Sequence, residues 1–419
     1  MTSYHFLFDL ALILLSTKLL GLLTRKVQMP QVVGALLAGL ILGPAMLNIL
    51  QETDFISKTA EIGVIVLMFT AGLQTDFEEM KKTGKASFLI ASIGVLLPLG
   101  GGYAIAALFN KSMLPGVDAS LFLQNVFIGV ILTATSVSIT VETLNEIGAL
   151  NTRSGNAILG AAVIDDVLGI ICLTFVTSAT DPSVNISVVL LKIAGFFLFA
   201  GVAGYIFYRL FTMMISRSDK DLRRYVIVAF VFCLLLSYCA ERFFGVADIT
   251  GAYLAGLFLS NTKETKYITS RFNTVSYALL SPMFFASIGI NVTIPEMSGR
   301  IILFSILLTI VAVLTKIVGC GLGAKLCHYT GKESLQIGVG MISRGEVALI
   351  VANKGFALKM MSPVLLGPVV LTVILTTILT PILLKIVYQN VDLAQNSPEV
   401  LENKVGEHYN AQRDYDKKR

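Results

Sequence analysis

The stretch Gly34-Ala35-Leu36-Leu37-Ala38-Gly39-Leu40-Ile41-Leu42 returns as Gly251-Ala252-Tyr253-Leu254-Ala255-Gly256-Leu257-Phe258-Leu259, 217 residues further on. A second echo follows in the same order, Met68-Phe69-Thr70-Ala71 being answered by Met283-Phe284-Phe285-Ala286 at an offset of 215. Small residues at this spacing let membrane helices approach closely, so either echo alone is weak evidence. Two echoes in one order at nearly one offset read as an internal duplication. Both copies sit inside apolar runs, and such runs recur near 5–24, 31–50, 59–74, 86–109, 121–142, 155–178, 186–212, 224–240, 246–260, 273–290, 300–326, 335–356 and 363–388. That makes about thirteen segments, most of them long enough to cross roughly 30 Å of hydrocarbon. An offset of seven crossings turns the second copy over in the membrane. The expected fold is an all-α polytopic membrane protein of about thirteen transmembrane helices, built as two inverted six-helix repeats.

Composition agrees. Of 419 residues, 55% are hydrophobic and 14% charged, and the mean hydropathy is +0.79. A soluble domain carries about a quarter charged residues, so a soluble globular protein is excluded. The net charge of +5 implies no nucleic-acid partner, because the Lys and Arg lie in short segments between apolar runs, the pattern of membrane topology. Sixteen of them, among them Arg25, Lys26, Lys82, Arg153, Arg223, Arg224 and Lys325, fall on one side, against six on the other. The richer side is expected to be cytoplasmic, with the N-terminus outside and the C-terminus inside. The first segment lacks a basic n-region and a cleavage site and holds Asp9 and Lys18, so it reads as a membrane helix rather than a signal peptide. The five cysteines, Cys172, Cys233, Cys239, Cys320 and Cys327, show no CxxC spacing, so neither a disulfide framework nor a zinc site is expected. The expected organisation is a first repeat over 1–178, a linker helix and cytoplasmic loop over 179–222, a second inverted repeat over 223–389, and a short cytoplasmic tail over 390–419.

The chemistry is concentrated in four segments. Ala161-Ala162-Val163-Ile164-Asp165-Asp166-Val167-Leu168-Gly169-Ile170 places two adjacent carboxylates about a third of the way along the sixth. A charge near the bilayer centre costs roughly 2.5 to 3.5 kcal/mol on insertion scales, so each needs a partner, a cation or a proton. Neighbours on a helix point about 100° apart, so one ion pair cannot serve both. The candidate partner is Lys316 in Val313-Leu314-Thr315-Lys316-Ile317-Val318-Gly319, too deep in the eleventh segment to snorkel. Lys18 and Lys192 lie on segments without other unusual polar residues and are weaker candidates. The fifth segment carries Thr133-Ala134-Thr135-Ser136-Val137-Ser138-Ile139-Thr140, whose hydroxyls compete for backbone groups and weaken a helix. The twelfth holds Gly338-Val339-Gly340-Met341-Ile342-Ser343-Arg344-Gly345-Glu346 at the matching place in the second copy. Discontinuous helices at matching positions place free carbonyls and half-helix ends at the midplane, as secondary transporters do. Arg344 and Glu346, two residues apart, face different ways and are expected to be structural or gating groups. Glu61, Glu142 and Glu241 read as interfacial, and Ser154, Asn156 and Asn261 as unranked residues of a water path.

With the Asp-Asp helix, the hydroxyl-rich segment continuing into Thr140-Val141-Glu142-Thr143-Leu144-Asn145-Glu146-Ile147-Gly148, the buried Lys316 and Ser343-Arg344-Gly345-Glu346, the chain resembles the cation/proton antiporter superfamily, specifically the bacterial sodium/proton antiporters of its second branch. The resemblance covers nearly the whole membrane region. It implies crossed discontinuous helices, a homodimer whose panel is formed by crossings one to three and eight to ten, and a moving core of crossings four to six and eleven to thirteen. It implies that Asp166 binds the monovalent cation or a proton, that Asp165 pairs with Lys316, and that Thr133, Thr135 and Ser136 supply oxygens. Members with Asp at the first position of the pair are electrogenic, which Asp165 favours. Unlike potassium-efflux relatives, the chain shows no domain-sized soluble region after about residue 390 and no dinucleotide fingerprint.

The resulting expectation is a secondary transporter, not an enzyme, that exchanges Na+ for H+ without a cofactor in a bacterial or archaeal cell membrane. K+ or Li+ as the cation is left open, and a sodium-coupled symporter of an organic anion is the alternative. An intramembrane aspartyl protease needs two acids facing one water from separate helices, which adjacent residues cannot supply. A passive channel has little use for a titratable Asp-Asp-Lys set.

Overall fold

The computed structural model describes residues 4–26, 29–75, 77–110, 117, 119–179, 185–217, 222–292 and 298–389. The expected tail over 390–419 and part of the loop before residue 222 lie outside these residues. Among the described residues all regular structure is helical. The helices are α1 (His5–Lys26), α2 (Gln31–Leu42), α3 (Asp54–Gln74), α4 (Phe77–Phe109), α5 (Leu121–Thr133), α6 (Val137–Glu146), α7 (Arg153–Ser178) and α8 (Ile186–Arg217). They continue with α9 (Leu222–Cys239), α10 (Asp248–Leu259), α11 (Thr265–Val275), α12 (Ser281–Ile290), α13 (Gly299–Leu326), α14 (Gly331–Gly340), α15 (Glu346–Ala357) and α16 (Leu366–Tyr388). A π-helical turn, Ala240–Phe244, extends α9, and another, Ser276–Leu280, fuses α11 to α12. Among the described residues ten spans are long and apolar enough to cross a bilayer. With the shorter α2 and α10 and the pair α14–α15 they make thirteen crossings. In hydrocarbon every backbone N–H and C=O must be paired within its own element, which leaves helices as the form for such runs. Where a helix starts near water, polar caps take over: Thr53, Ser120 and Thr152 each accept from the first turn of α3, α5 and α7, and Thr330 and Glu333 form a capping box on α14.

The helices pack as two groups. In one, α4 packs on α5, α7 and α13, and α13 on α14 and α16. In the other, α10 packs on α3 and α9, and α2 on α1 and α12. The quoted repeats explain the second group. A Cβ on Gly39 would stand 2.0 Å from the Ala286 carbonyl oxygen, and one on Gly256 would stand 2.2 Å from that of Phe69. Gly289 faces the Leu36 oxygen (2.6 Å) and Leu40 nitrogen, while Gly72 faces the Tyr253 oxygen (2.1 Å) and Leu257 nitrogen. Every partner in the second set lies 217 residues from its counterpart in the first, so α2 of one copy packs on α12 of the other as α10 packs on α3. This corrects the sequence register of the second echo. The side-chain likeness at 215 is a two-residue slip, because backbone contact through the glycines, not the Met-Phe similarity, fixes the alignment.

Candidate functional site

The fifth and twelfth crossings are both broken. Residues 134–136 separate α5 from α6, and residues 341–345 separate α14 from α15. At the break the Ser136 N–H donates to the Ser343 carbonyl (2.7 Å), and the Ser343 hydroxyl donates back to the Ser136 carbonyl (2.7 Å). The Thr140 hydroxyl donates to the Gly340 carbonyl (2.7 Å) and lies 3.0 Å from the Ser343 hydroxyl. Glycine makes the crossing narrow enough: a Cβ on Gly345 would fall 2.6 Å from the Ser136 Oγ, and one on Gly338 2.5 Å from the Ile317 carbonyl oxygen of α13. The two interruptions thus satisfy each other's backbone groups.

Two half-helix C-termini meet here, each carrying about half a negative charge from its aligned peptide dipoles. Arg344, fully buried, donates to the Leu132 carbonyl in the last turn of α5 (2.8 Å), the Ile342 carbonyl just beyond α14 (2.5 Å) and the Ala312 carbonyl of α13 (3.1 Å). Glu346 opens α15, and its side chain lies outside the described residues.

α7 packs against α5, α6 and α14, so its midpoint lies beside the crossing. The helix spans Arg153–Ser178, so the two carboxylates lie at its midpoint rather than a third of the way along. Lys316 Nζ stands 2.7 Å from Asp165 Oδ1, with side-chain exposures of 0% and 1%. The other oxygen, Asp165 Oδ2, has no hydrogen-bond partner, and neither has Arg344 Nε. Asp166 is half-buried. From Ser154 to Ala162 every residue of α7 is buried, while from Val163 to Leu173 all but Asp165 are half-buried. Asp166 therefore sits where the sealed half of the helix gives way to an accessible one.

The other nominated residues are placed unevenly. Thr133 Oγ1 turns back to the Val130 carbonyl (2.7 Å). Thr135 is buried with its hydroxyl lacking a hydrogen-bond partner, and Ser136 contributes its backbone as well as a hydroxyl 3.2 Å from Ser138. Ser154 is buried and bonded to Gln336 (2.8 Å) and Tyr388 (2.7 Å). Lys18 contacts the Tyr277 hydroxyl and ring, away from the crossing. Sequence reading missed Thr140 and Ser343 as links between the breaks, although both stand in the quoted runs. It also missed Glu146. The carboxylate of Glu146 accepts from the Gln31 N–H (2.8 and 2.9 Å) at the start of α2, whose own N-cap position is Pro30 and offers no side-chain cap.

Comparison with known proteins fits this geometry. The family model described as the transmembrane sodium/hydrogen exchanger matches residues 11–389. The chain is 40% identical over 359 residues to a probable Na+/H+ antiporter, GerT, of Bacillus cereus, covering 85% of this chain and 92% of that one. It is 38% identical over 402 residues to the Na+/H+-K+ antiporter GerN of the same organism, covering 94% and 99%, and 35% identical to a Na+/H+ antiporter of Enterococcus hirae, covering 84% and 90%. The solved sodium proton antiporter MjNhaP1 of Methanocaldococcus jannaschii shares the fold, with a TM-score of 0.64 at 20% identity over 93% of this chain and 98% of that one. The chain is a member of the transmembrane sodium/hydrogen exchanger family.

Proposed function

We propose that this chain exchanges Na+ for H+ across the membrane, the two ions competing for Asp166. The observation that carries the reading is the pairing of Lys316 with Asp165, 2.7 Å apart and sealed, beside a neighbouring carboxylate at the edge of the accessible half of α7. Lys316 neutralises the sealed acid, and Asp166, on the accessible side, is the acid that an incoming cation or proton reaches. Thr133, Thr135 and Ser136, at the end of α5 and in the break, are the oxygens nearest in sequence to complete a coordination shell of the kind hard cations take. Arg344 and Glu346 act as structural or gating groups. Because Asp165 stands at the first position of the acidic pair and is joined to Lys316, we read the exchange as electrogenic. The name of GerN, which includes K+ and which covers nearly the whole chain, favours K+ as a second substrate.

The moving part in this reading is the group of α4–α7 and α13–α16, displaced against the panel of α1–α3 and α9–α12, with homodimer contacts on the panel. The two inverted units run over 1–178 and 223–389, joined by the linker 179–222. The charge bias of the loops supports an external N-terminus and a cytoplasmic C-terminus, and the relatives from Bacillus cereus and Enterococcus hirae favour a bacterial or archaeal cell membrane. The test is purified protein in vesicles with an internal pH dye, given a proton gradient and then Na+, K+ or Li+. Wild type dissipates the gradient with Na+, and Asp166→Asn does not. Exchange in Asp166→Asn equal to wild type refutes the assignment, and substrate-dependent Na+ uptake without proton movement selects organic-anion symport instead.

A further inference from the structure

A cavity of about 330 Å³ opens at the Lys- and Arg-rich end of the boundary between panel and core. Gln74 and Thr75, at the end of α3, and Ser260 and Asn261, just past α10, line it from the panel; Asn151 and Asn156, around the start of α7, line it from the core. None of the six is charged. Asn151 and Asn261 are exposed at the rim, whereas Asn156 is 3% exposed. Two oxygens in this cavity wall, Asn156 Oδ1 and Ser260 Oγ, are buried without a hydrogen-bond partner. A buried amide oxygen in that state costs roughly 1 to 3 kcal/mol, and only a donor or a cation can relieve it. The neighbouring cavity shares Asn151 and Asn156 but adds Lys82 and Arg153. Its Arg153 is held by Glu333 (3.3 Å) and stacked 4.2 Å over Tyr329. Those two cations repel another cation, so the neutral compartment is the one open to it.

We propose that this neutral compartment is a second cation site, a cytoplasmic waiting station in which Asn156 Oδ1 and Ser260 Oγ replace part of the water shell of Na+ on its way to or from Asp166. The inference rests on the exchange reading and the orientation given above. Neutral oxygens suit such a station, because entry needs binding while onward movement needs that binding to be weak, and a carboxylate here would hold the ion. Asn156 lies ten residues before Asp166 on α7, about 15 Å along the axis, and the intervening Ala157 to Ala162 are all buried and apolar or glycine. The compartment therefore ends blindly at a sealed stretch of helix in this state, as a station filled from one face only must.

The experiment measures Na+-driven proton movement separately from each face, in everted and right-side-out membrane vesicles. Asn156→Leu, which keeps the side-chain size and removes the oxygen, raises the half-saturating Na+ concentration about 3- to 10-fold on the cytoplasmic face and leaves the external value in place. Asn156→Asp lowers the cytoplasmic value, and Ser260→Ala raises it from the opposite wall if the Leu variant fails to reach the membrane. Equal shifts on both faces, or no shift in any of the three, overturn the proposal; the second result means the cavity holds water alone. Asp166→Asn abolishes exchange from both faces whatever Asn156 does, so failure of the station and failure of the exchanger reading give different records.

Discussion

Lys316→Met should destabilise the protein strongly, while the double variant Asp165→Asn/Lys316→Met should not. The ion pair is 2.7 Å long, with both side chains sealed. At an effective dielectric of about 20 its Coulomb attraction is about 6 kcal/mol, most of which offsets the cost of taking both charges out of water. Removing one partner alone leaves the desolvation cost without the attraction, a loss of roughly 3 to 5 kcal/mol. Arg344 replaces Lys316 only in part, because two of its three guanidinium nitrogens are held by the carbonyls of Leu132, Ile342 and Ala312. Removing both charges returns the stability to near wild type or somewhat above it. Unfolding of a membrane protein is not two-state, so the readout is the order of melting temperatures in detergent rather than a free energy. Lys316→Met melts well below wild type, and the double variant melts at or above it. The double variant retains Asp166, so it still exchanges Na+ for H+ but loses its response to membrane potential in vesicles. A Lys316→Met protein that melts with wild type would show that the pair carries no such coupling and would refute the reasoning.

Three further outcomes follow from the same geometry. Arg344→Gln strips the charge from the two half-helix ends and leaves buried carbonyls unmet, about 1 to 3 kcal/mol each; Arg344→Lys recovers only part, since one ammonium cannot match a planar fork spanning three carbonyls, and melting curves of the pair check this. Gly256→Ala and Gly39→Ala each force a Cβ to within 2.2 and 2.0 Å of a facing carbonyl oxygen, so both lower the melting temperature by comparable amounts through about 1 to 3 kcal/mol of overpacking. Acidification raises the half-saturating Na+ concentration, because the protonated Asp166 cannot bind the cation; in the limit of one-proton competition the rise is about tenfold per pH unit, measured as dye response against Na+ across a pH series.

Much of the fold was legible because hydrocarbon forces a simple rule on the chain. Apolar length fixes a crossing, so thirteen segments emerged from hydropathy. The breaks were legible for a related reason: Thr133 to Thr140 and Gly338 to Gly345 stand out only because a continuous helix is otherwise compulsory there. The pairing of Asp165 with Lys316 could be anticipated by charge balance, since a buried acid and a buried base in an apolar medium have few other partners. Contacts that do not alter composition were not legible. The Ser136 N–H bonds to the Ser343 carbonyl through backbone groups that every residue possesses, and the register of Gly72 against Tyr253 is set by the absence of a side chain. Glu146 did not stand out because its partner is the bare N–H of Gln31, 115 residues away, and a peptide N–H leaves no mark in a sequence.

The links between the breaks also decide which motion is cheap. If access to Asp166 alternated by bending one half-helix, the bonds from Ser136 to Ser343, Ser343 to Ser136, Thr140 to Gly340 and Arg344 to Leu132 would have to open. All are buried, and leaving four such pairs unmade costs on the order of 10 kcal/mol. Displacing the whole group of α4–α7 and α13–α16 against the panel keeps every one of them, and keeps Lys316 on Asp165 as well. Among the described residues such a displacement breaks the cap from Glu146 of α6 to Gln31 of α2 and the weak bond from the Tyr253 hydroxyl of α10 to the Met80 sulfur of α4, and a helix cap contributes only about 1 kcal/mol. Counted on these polar bonds alone, rigid displacement of the core costs several kcal/mol less than local bending. In the cycle proposed above, Glu146 would then fasten the displaced group to the panel by a contact weak enough to be released.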